Sequence, residues 1–387
     1  MQAVVLAAGE GQRLRPFTAN KPKVMIEVAN KPILEYVIEA LKSAGIHDII
    51  LVVGYKRSRI ADYFGSGEKW SVKIKYAVQE QQLGTAHALK QAEKFVESDE
   101  FIVVSGDNIF DSKTVEMLKD PWMLAFKKSN EPTKYGVIVM KSGVIEEILE
   151  KPKEVVSNLV NIGVYKFGKD IFKEIDGELD LISVINRMIK DGYTFKCVEA
   201  QLWMDIVYPW DILKVNNLVM NFTGKMIGGR VENAKIIGNV IVGSGSVIEA
   251  GAVIEGPVII GNNCRIGANS VIRGSTSIGD GCTIGALSYI ENSVIGDNVL
   301  IGSGACIVDS VIDRGCRIDP KFTAISDVAE IRVGDDIHSV KAGTFVGEMC
   351  KIGSNVVAEP GAIVGNRVKV LPLKTIRGNI PDDSLIV

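Results

Sequence analysis

Metal and disulfide chemistry have little to draw on in this chain of 387 residues, which holds six cysteines and three histidines. No two cysteines stand in a CxxC spacing and no histidine pair lies beside them, so neither a disulfide scaffold nor a zinc site is indicated. No apolar run reaches the roughly 18 residues of a membrane span. The opening "MQAVVLAAG" lacks both the basic start and the apolar length of a signal peptide. The expected location is the cytoplasm, with no membrane partner. Net charge is −3 with both signs interspersed, and no basic face stands out, so nucleic acid is not an expected partner. The remaining composition, 47% hydrophobic and 24% charged, is that of a globular protein.

Aromatic residues also run out along the chain. All four tryptophans precede residue 224, and beyond it only Tyr289, Phe322 and Phe345 are aromatic, while glycine, valine and isoleucine take over. That shift divides the chain into domains 1–223 and 224–387. The first alternates short β-branched runs, "AVVLAA", "DIILVVG", "VKIKYAV" and "FIVVSGD", with helical patterns such as "PILEYVIEALKSAG", which Gly45 stops. Such alternation implies an α/β fold with a mostly parallel sheet. The runs "YGVIVM", "VIEEILE", "LVNIGVYKF" and "TFKCVEA" read as added strands, and 208–222 as a closing helix.

The second domain is a repeat. Steps of six from Ile236 reach Val242, Ile248, Ile254, Ile260, Ile266, Ile272, Ile278, Ile284 and Ile290. The series loses a residue, resumes at Ile295, Ile301 and Ile307, and slips again to Ile312 and Ile318. It returns at Val346, Ile352, Ala358, Val364, Val370 and Ile376. A hexapeptide period is the mark of a parallel β-helix, in which three hexads make one triangular coil and stacked coils bury a common core. Cys264 and Cys282 are one coil apart, with Val299 and Cys316 in the same column. They are expected to fill one inner corner, pointing the same way rather than converging on an ion. Residues 319–345 break the period as an insertion or loop, and His338 within it has no catalytic partner nearby in sequence.

The stretch "LAAGEGQRLRPFTANKPKVM" (6–25) follows the first strand. It is not a Walker A loop, and Leu14 stands where a dinucleotide fingerprint needs its third glycine. Gly9 and Gly11 can turn backbone N–H groups toward an anion, and Arg13, Arg15, Lys21 and Lys23 supply cations. On its own this fits either a phosphate-bearing ligand or a surface βα loop with solvated charges. Likewise Asp107 could cap a helix starting near Ser112, Asp205 could be a turn residue before Pro209, and Glu150 and Lys151 a solvated pair. His87 reads as a packing or capping residue within a helix.

"GEGQRLRPFTANKPK" matches GxGxRLxPxT followed by PK, and so resembles the signature of sugar-1-phosphate nucleotidylyltransferases. "VQEQQLGTAHAL" (78–89), "SGDNIF" (105–110), "KYGVI" (134–138), "EKP" (150–152), "NIGVY" (161–165) and "LWMDI" (202–206) are similar to further motifs of that family, in family order. The resemblance implies a Rossmann-like nucleotidyltransferase domain followed by an all-β left-handed parallel β-helix. It implies transfer of a nucleotidyl group from an NTP to a sugar 1-phosphate with release of pyrophosphate. Gly9, Gly11 and Arg13 would hold the triphosphate, with Leu6 and Ala8 lining the nucleotide. Lys23 would bridge the α-phosphate and the sugar phosphate, and Gln79, Gly84 and Thr85 would read the base. Gly136, Glu150, Lys151 and Asn161 would meet the sugar phosphate, and Asp107 and Asp205 would hold Mg2+. Arg13, Lys23 and Asp107 would be the catalytic set. "QQLGTAHAL" leans toward UTP or dTTP, and toward glucose-1-phosphate or N-acetylglucosamine-1-phosphate, with guanylyl transfer to mannose-1-phosphate as the alternative. Gln12 departs from the usual Thr or Ser before Arg13.

The family's bifunctional members acetylate an amino sugar on the β-helix. The matching stretch here, 285–305, has Ala286 where their general-base His stands; Leu300 and Asp309 replace asparagines, and Tyr289 is kept. Alanine takes no proton, so the tail is expected to lack that activity unless His338 substitutes. A catalytically silent regulatory homologue is the other alternative, set against the retention of Arg13, Lys23, Asp107 and Asp205. Tails of this kind assemble trimers or dimers of trimers, so a homo-oligomer through the β-helix is expected.

Overall fold

The computed structural model describes residues 1–221, 224–334 and 336–387. Packing divides the chain into two compact units. The first comprises Met1–Glu10, Asn20–Met25 and Pro32–Asp205; the second comprises Gly11–Ala19, Ile26–Lys31 and Ile206–Val387. The expected helix end at Phe222 and domain boundary at residue 223 lie outside the described residues.

The first unit is built on a nine-stranded mixed sheet. Its parallel part is formed by Gln2–Ala7, Asp48–Val53, Lys73–Val78 and Glu100–Ser105, whose β-branched residues are almost wholly buried. The strand Gln2–Ala7 pairs in parallel with Asp48–Val53 on one side and Glu100–Ser105 on the other. The chain therefore winds outward to Lys73–Val78 and then returns to the opposite side of its first strand, making a topological switch point there. In open α/β sheets the crevice at such a point, beyond the carboxyl ends of the strands, is where ligands bind. The antiparallel strands Leu159–Gly168, Gly136–Lys141 and Val144–Glu150 continue the sheet past Glu100–Ser105. The helix Ile33–Ser43 lays Leu34, Val37, Ile38 and Leu41 into the core. It ends in a left-handed Gly45, with Gly45 N–H bonded to Lys42 O (2.9 Å) and Ile46 N–H to Leu41 O (3.0 Å), as a Schellman stop requires.

The second unit is the β-helix: three all-parallel stacks of nine, nine and eight strands. Inward aliphatic residues align coil upon coil, as Val242, Ile260 and Ile278 do in one stack and Ile254, Ile272 and Ile290 in another. Ile295, Ile312, Val346 and Val364 extend the first of these, and Ile307, Ala324 and Ala358 the second. From Val242 to Ile376 all variation in chain length falls at one corner. Ile290 to Ile295 and Ile307 to Ile312 are each a residue shorter there than Ile272 to Ile278, and the long insertion sits between Ala324 and Val346. That insertion is an antiparallel hairpin, Asp327–Val333 with Asp336–Ala342, and the break in period is narrower than 319–345 because Thr323–Ala324 still occupies its place in the stack. His338 lies on the hairpin with its ring 4.3 Å from Tyr208 and 5.3 Å from Trp210, packed as an aromatic residue.

Cys264, Cys282, Cys316 and Cys350 fill one inner corner. Their thiols donate to the carbonyls of Gly279, Gly296, Gly347 and Gly365 at 3.0–3.1 Å, one coil on, as the Ser246 hydroxyl does to Gly261 O at 2.7 Å. The neighbouring Cys264 thiol together with burial pushes Cys282 up, and Cys350 with burial does the same to Cys316, so both stay protonated donors.

Two buried amides fasten further segments of this unit. Asn216, on the helix Asp211–Met220, accepts from Ala29 N–H (2.7 Å) and Ser277 Oγ (2.9 Å) and donates to Ser275 O (2.6 Å). Asn366 donates to Pro16 O (3.1 Å), which ties the segment Gly11–Ala19 to the late coils. Leu14, Phe17 and Thr18 are buried, and Thr18 Oγ1 donates to Gly11 O at 2.8 Å. In Asn216→Leu three buried partners lose their bonds, at about 1–3 kcal/mol each for an unsatisfied group. The variant is expected to unfold at clearly lower urea than the wild-type full chain, followed by far-ultraviolet circular dichroism; superimposable curves would contradict the clasp.

Candidate active site

The candidate site forms in the first unit where the switch-point strands end. The strand Glu100–Ser105 passes into Gly106, whose N–H bonds to Leu6 O at 2.9 Å and extends the ladder by one step. A Cβ at Gly106 would stand 3.0 Å from Leu6 O, a tight approach that a side chain there would have to relieve. The next residue, Asp107, forms an ion pair with Lys23, which opens the single helical turn Lys23–Met25; the two side chains are 29% and 17% exposed. The residue before the helix Ser112–Glu116 is Asp111, so Asp107 is not its cap.

The second carboxylate arrives by strand pairing. Trp203–Asp205 runs antiparallel to Asn108–Phe110 and sets Asp205 directly opposite Asn108, next to Asp107. Asp205 Oδ1 accepts from Tyr135 OH at 3.1 Å. The Tyr135 ring packs edge-on against Trp203, with centroids 5.2 Å apart, and its carbonyl accepts the Lys151 N–H at 3.0 Å. Tyr135 thus joins the Asp205 strand to the Glu150–Lys151 corner. Two partly exposed carboxylates on adjoining backbone fit a hard divalent cation, since Mg2+ takes one or two carboxylates and completes its shell with water and substrate phosphates.

Glu150 faces Gly136 across the ladder, so close that a Cβ at Gly136 would lie 3.1 Å from Glu150 Oε2. Lys151 Nζ stands 3.6 Å from Glu150 Oε1, both half-exposed. Asn161 donates to Tyr165 OH at 2.7 Å and accepts from Gly163 N–H at 3.2 Å. Burial drives the Tyr165 phenol well above its ordinary range, so this support of Asn161 does not change with pH through the range in which proteins work. Gly163 is left-handed, and a Cβ there would lie 2.3 Å from Ser105 Oγ.

On the other side of the first strand, Ala8 O accepts from Tyr55 N–H (3.3 Å) and Gln82 Nε2 (2.7 Å), and Gly9 has open space where a side chain would be. Gln79 is buried, with Nε2 3.0 Å from Gly84 O and 2.9 Å from His87 Nδ1. Thr85 Oγ1 donates to Asp180 at 3.0 Å and accepts Leu181 N–H at 2.9 Å, while a Cβ at Gly84 would meet Leu179 O at 2.2 Å. The polar groups of Gln79 and Thr85 are therefore engaged in holding this corner together. Gly11, left-handed at φ 77°, and the exposed Arg13 belong to the second unit.

Sequence reading did not single out Tyr135, Gln82, Ser105 or Asn108. All four lie inside the quoted motifs, but their roles depend on contacts between distant segments, as when the Asn108 amide holds Ile162 O at 2.9 Å.

The family model "Nucleotidyl transferase" matches residues 2–221, over half of the chain. The chain belongs to the nucleotidyl transferase family. A second model, "GMPPB C-terminal domain", matches residues 236–386. A protein of Methanococcus maripaludis named "Bifunctional protein GlmU" is 36% identical over 95% of this chain and 92% of its own length. The "Bifunctional sugar-1-phosphate nucleotidylyltransferase/acetyltransferase" of Sulfurisphaera tokodaii is 34% identical over 96% of each. A Bacillus anthracis crystal structure, described as a candidate glucose-1-phosphate thymidylyltransferase with sucrose bound, superposes with a TM-score of 0.53 at 29% identity, over 59% of this chain and 98% of that one. The nucleotidyltransferase activity and the α/β-plus-β-helix architecture expected from the sequence are both borne out.

Proposed function

We propose that this nucleotidyltransferase joins an NTP, UTP or dTTP by preference, to glucose-1-phosphate or N-acetylglucosamine-1-phosphate and releases pyrophosphate. The observation that carries the reading is the pairing of Asp205 against Asn108, which places a second carboxylate beside the Asp107–Lys23 pair at the switch-point crevice. The sugar phosphate oxygen attacks the α-phosphorus and pyrophosphate leaves, so the task is to align two anions and neutralise their charge. Lys23 is held at the crevice by Asp107, and its ammonium would meet the phosphates of the two substrates there. A divalent metal, Mg2+ in this reading, would be held by Asp107 and Asp205 and would supply Lewis-acid polarisation of the phosphoryl oxygens. By position in the signature, Gly9, Gly11 and Arg13 receive the triphosphate, with Leu6 and Ala8 beside the nucleotide. Glu150, Lys151, Asn161 and Gly136 receive the sugar phosphate, and the Gln79–Gly84–Thr85 corner shapes the base pocket through its backbone.

The residues 224–387 are read as an assembly module that makes the protein a homo-oligomer, a trimer or a dimer of trimers, working in the cytoplasm. Ala286 has no side chain for proton transfer, Tyr289 OH is bonded to the Glu291 carboxylate, and His338 is packed on Tyr208 and Trp210.

A matrix of NTPs against sugar phosphates, followed by pyrophosphate release in Mg2+, should show activity that needs both substrates and disappears with EDTA. Asp107→Asn should lose about 10²–10³-fold in kcat, the scale of one electrostatic contact to the transition state; full activity in that variant would remove the metal role. Glucosamine-1-phosphate with acetyl-CoA should yield no CoA, and brisk CoA release would restore the bifunctional alternative. Light scattering should return a mass of several chains, and a single-chain mass would refute assembly through the β-helix.

A further inference from the structure

Gln79 follows the strand Lys73–Val78, and its N–H bonds to Val53 O at 2.8 Å. It therefore stands at the carboxyl ends of the parallel strands, next to Gly54 and Ala8. Its side chain is buried, at 3% exposure. The amide holds the corner with its nitrogen end alone: Nε2 is 3.0 Å from Gly84 O and 2.9 Å from His87 Nδ1. The oxygen end, Oε1, accepts from no described residue.

A carbonyl oxygen only accepts, so the amide atom facing Gly84 O is the nitrogen, with one N–H directed there. The second N–H meets His87 Nδ1, which therefore accepts, and the imidazole carries its proton on Nε2. Gln91 Nε2, 3.4 Å from that ring nitrogen, donates instead to His87 O at 3.1 Å. Turning the amide over would break both bonds and set Oε1 against Gly84 O. With both hydrogens spent, the amide has only an acceptor left to offer a ligand. We infer that His87 is a positioning residue, which fixes Gln79 with Oε1 toward the base so that the pocket takes bases with a ring N–H on their pairing edge. Uracil and thymine carry that N–H at N3 and guanine at N1. Cytosine and adenine present a lone pair at the same place, which Oε1 repels. The inference rests on the reading of the Gln79 corner as the base pocket, and adds to it the atom that sorts bases and the residue that aims it.

The test uses the full chain with His87→Leu, which removes the acceptor, and His87→Asn, whose Oδ1 can take the place of Nδ1. His87 is half-buried on the helix Thr85–Gln91, and His87→Ala replaces the leucine variant should that one lose its helical circular dichroism. Binding of UMP and CMP is measured by calorimetry, and KM and kcat for UTP and CTP by pyrophosphate release. The wild type is expected to favour the uracil nucleotide in both. In His87→Leu the ratio of UMP to CMP affinity should fall roughly tenfold, the scale of one hydrogen bond. KM for UTP should rise while kcat holds, and His87→Asn should restore the ratio. Equal ratios in the wild type and a normally folded His87→Leu, a wild type that prefers CMP or binds neither nucleotide, or a loss that His87→Asn leaves unrepaired would overturn the inference. Uracil selection that depends on His87, with no turnover of UTP or dTTP on either sugar phosphate, would instead defeat the proposed substrates and leave the role of His87 standing.

Discussion

Parallel strand pairing is the constraint on which both units depend. Two parallel neighbours cannot be joined by a tight turn, so the chain must leave the sheet and come back. In the first unit it returns through helices, and at Gln2–Ala7 the direction of winding reverses. The strand ends on either side of that reversal are left without a covering crossover, and Ala8, Gly9, Gly106 and Asp107 occupy them. In the second unit the coil is its own crossover. Each strand finds its partner one coil on, which is why the inward residue has to be aliphatic at every sixth position.

Within the second unit, buried amides do what aliphatic packing cannot: they select one placement. An isoleucine column tolerates sliding, whereas Asn216 satisfies Ala29 N–H, Ser275 O and Ser277 Oγ only in one arrangement. The signature segment shows the same division of labour. Leu14, Phe17 and Thr18 face inward and fix its path, leaving Gln12, Arg13 and Arg15 exposed. Gln12, the departure from the family pattern, falls at an exposed position and disturbs none of these anchors.

The β-helix was legible because its period is short, regular and written in isoleucine. Ala324 was harder to see, since an alanine marks its place with little apolar weight, and the insertion beyond it was seen as a break in period but not as a hairpin. Val328 and Ile337 of the hairpin are exposed and Ile331 is buried, so its strands carry no clean alternation to read. At the candidate site, strand-end residues such as Asp107 were visible from motif order. Tyr135 was not, because its value lies in touching Asp205, 70 residues away. Thr85 drew attention as a ligand contact, but its hydroxyl is bonded to Asp180 and Leu181, a relation between distant segments that local pattern does not encode.

The clasp between Asn366 and Pro16 has a consequence for cutting the chain. Residues 350 positions apart in sequence are immediate neighbours, so the early segment Gly11–Ala19 takes part of its support from the late coils. A truncation after residue 223 would strip Gly11–Ala19 of the coils that hold it, and a transplanted β-helix would need an amide at the same height to receive it. The length changes are gathered at one corner: coils there are shortened or extended by a hairpin while every aliphatic column stays in step.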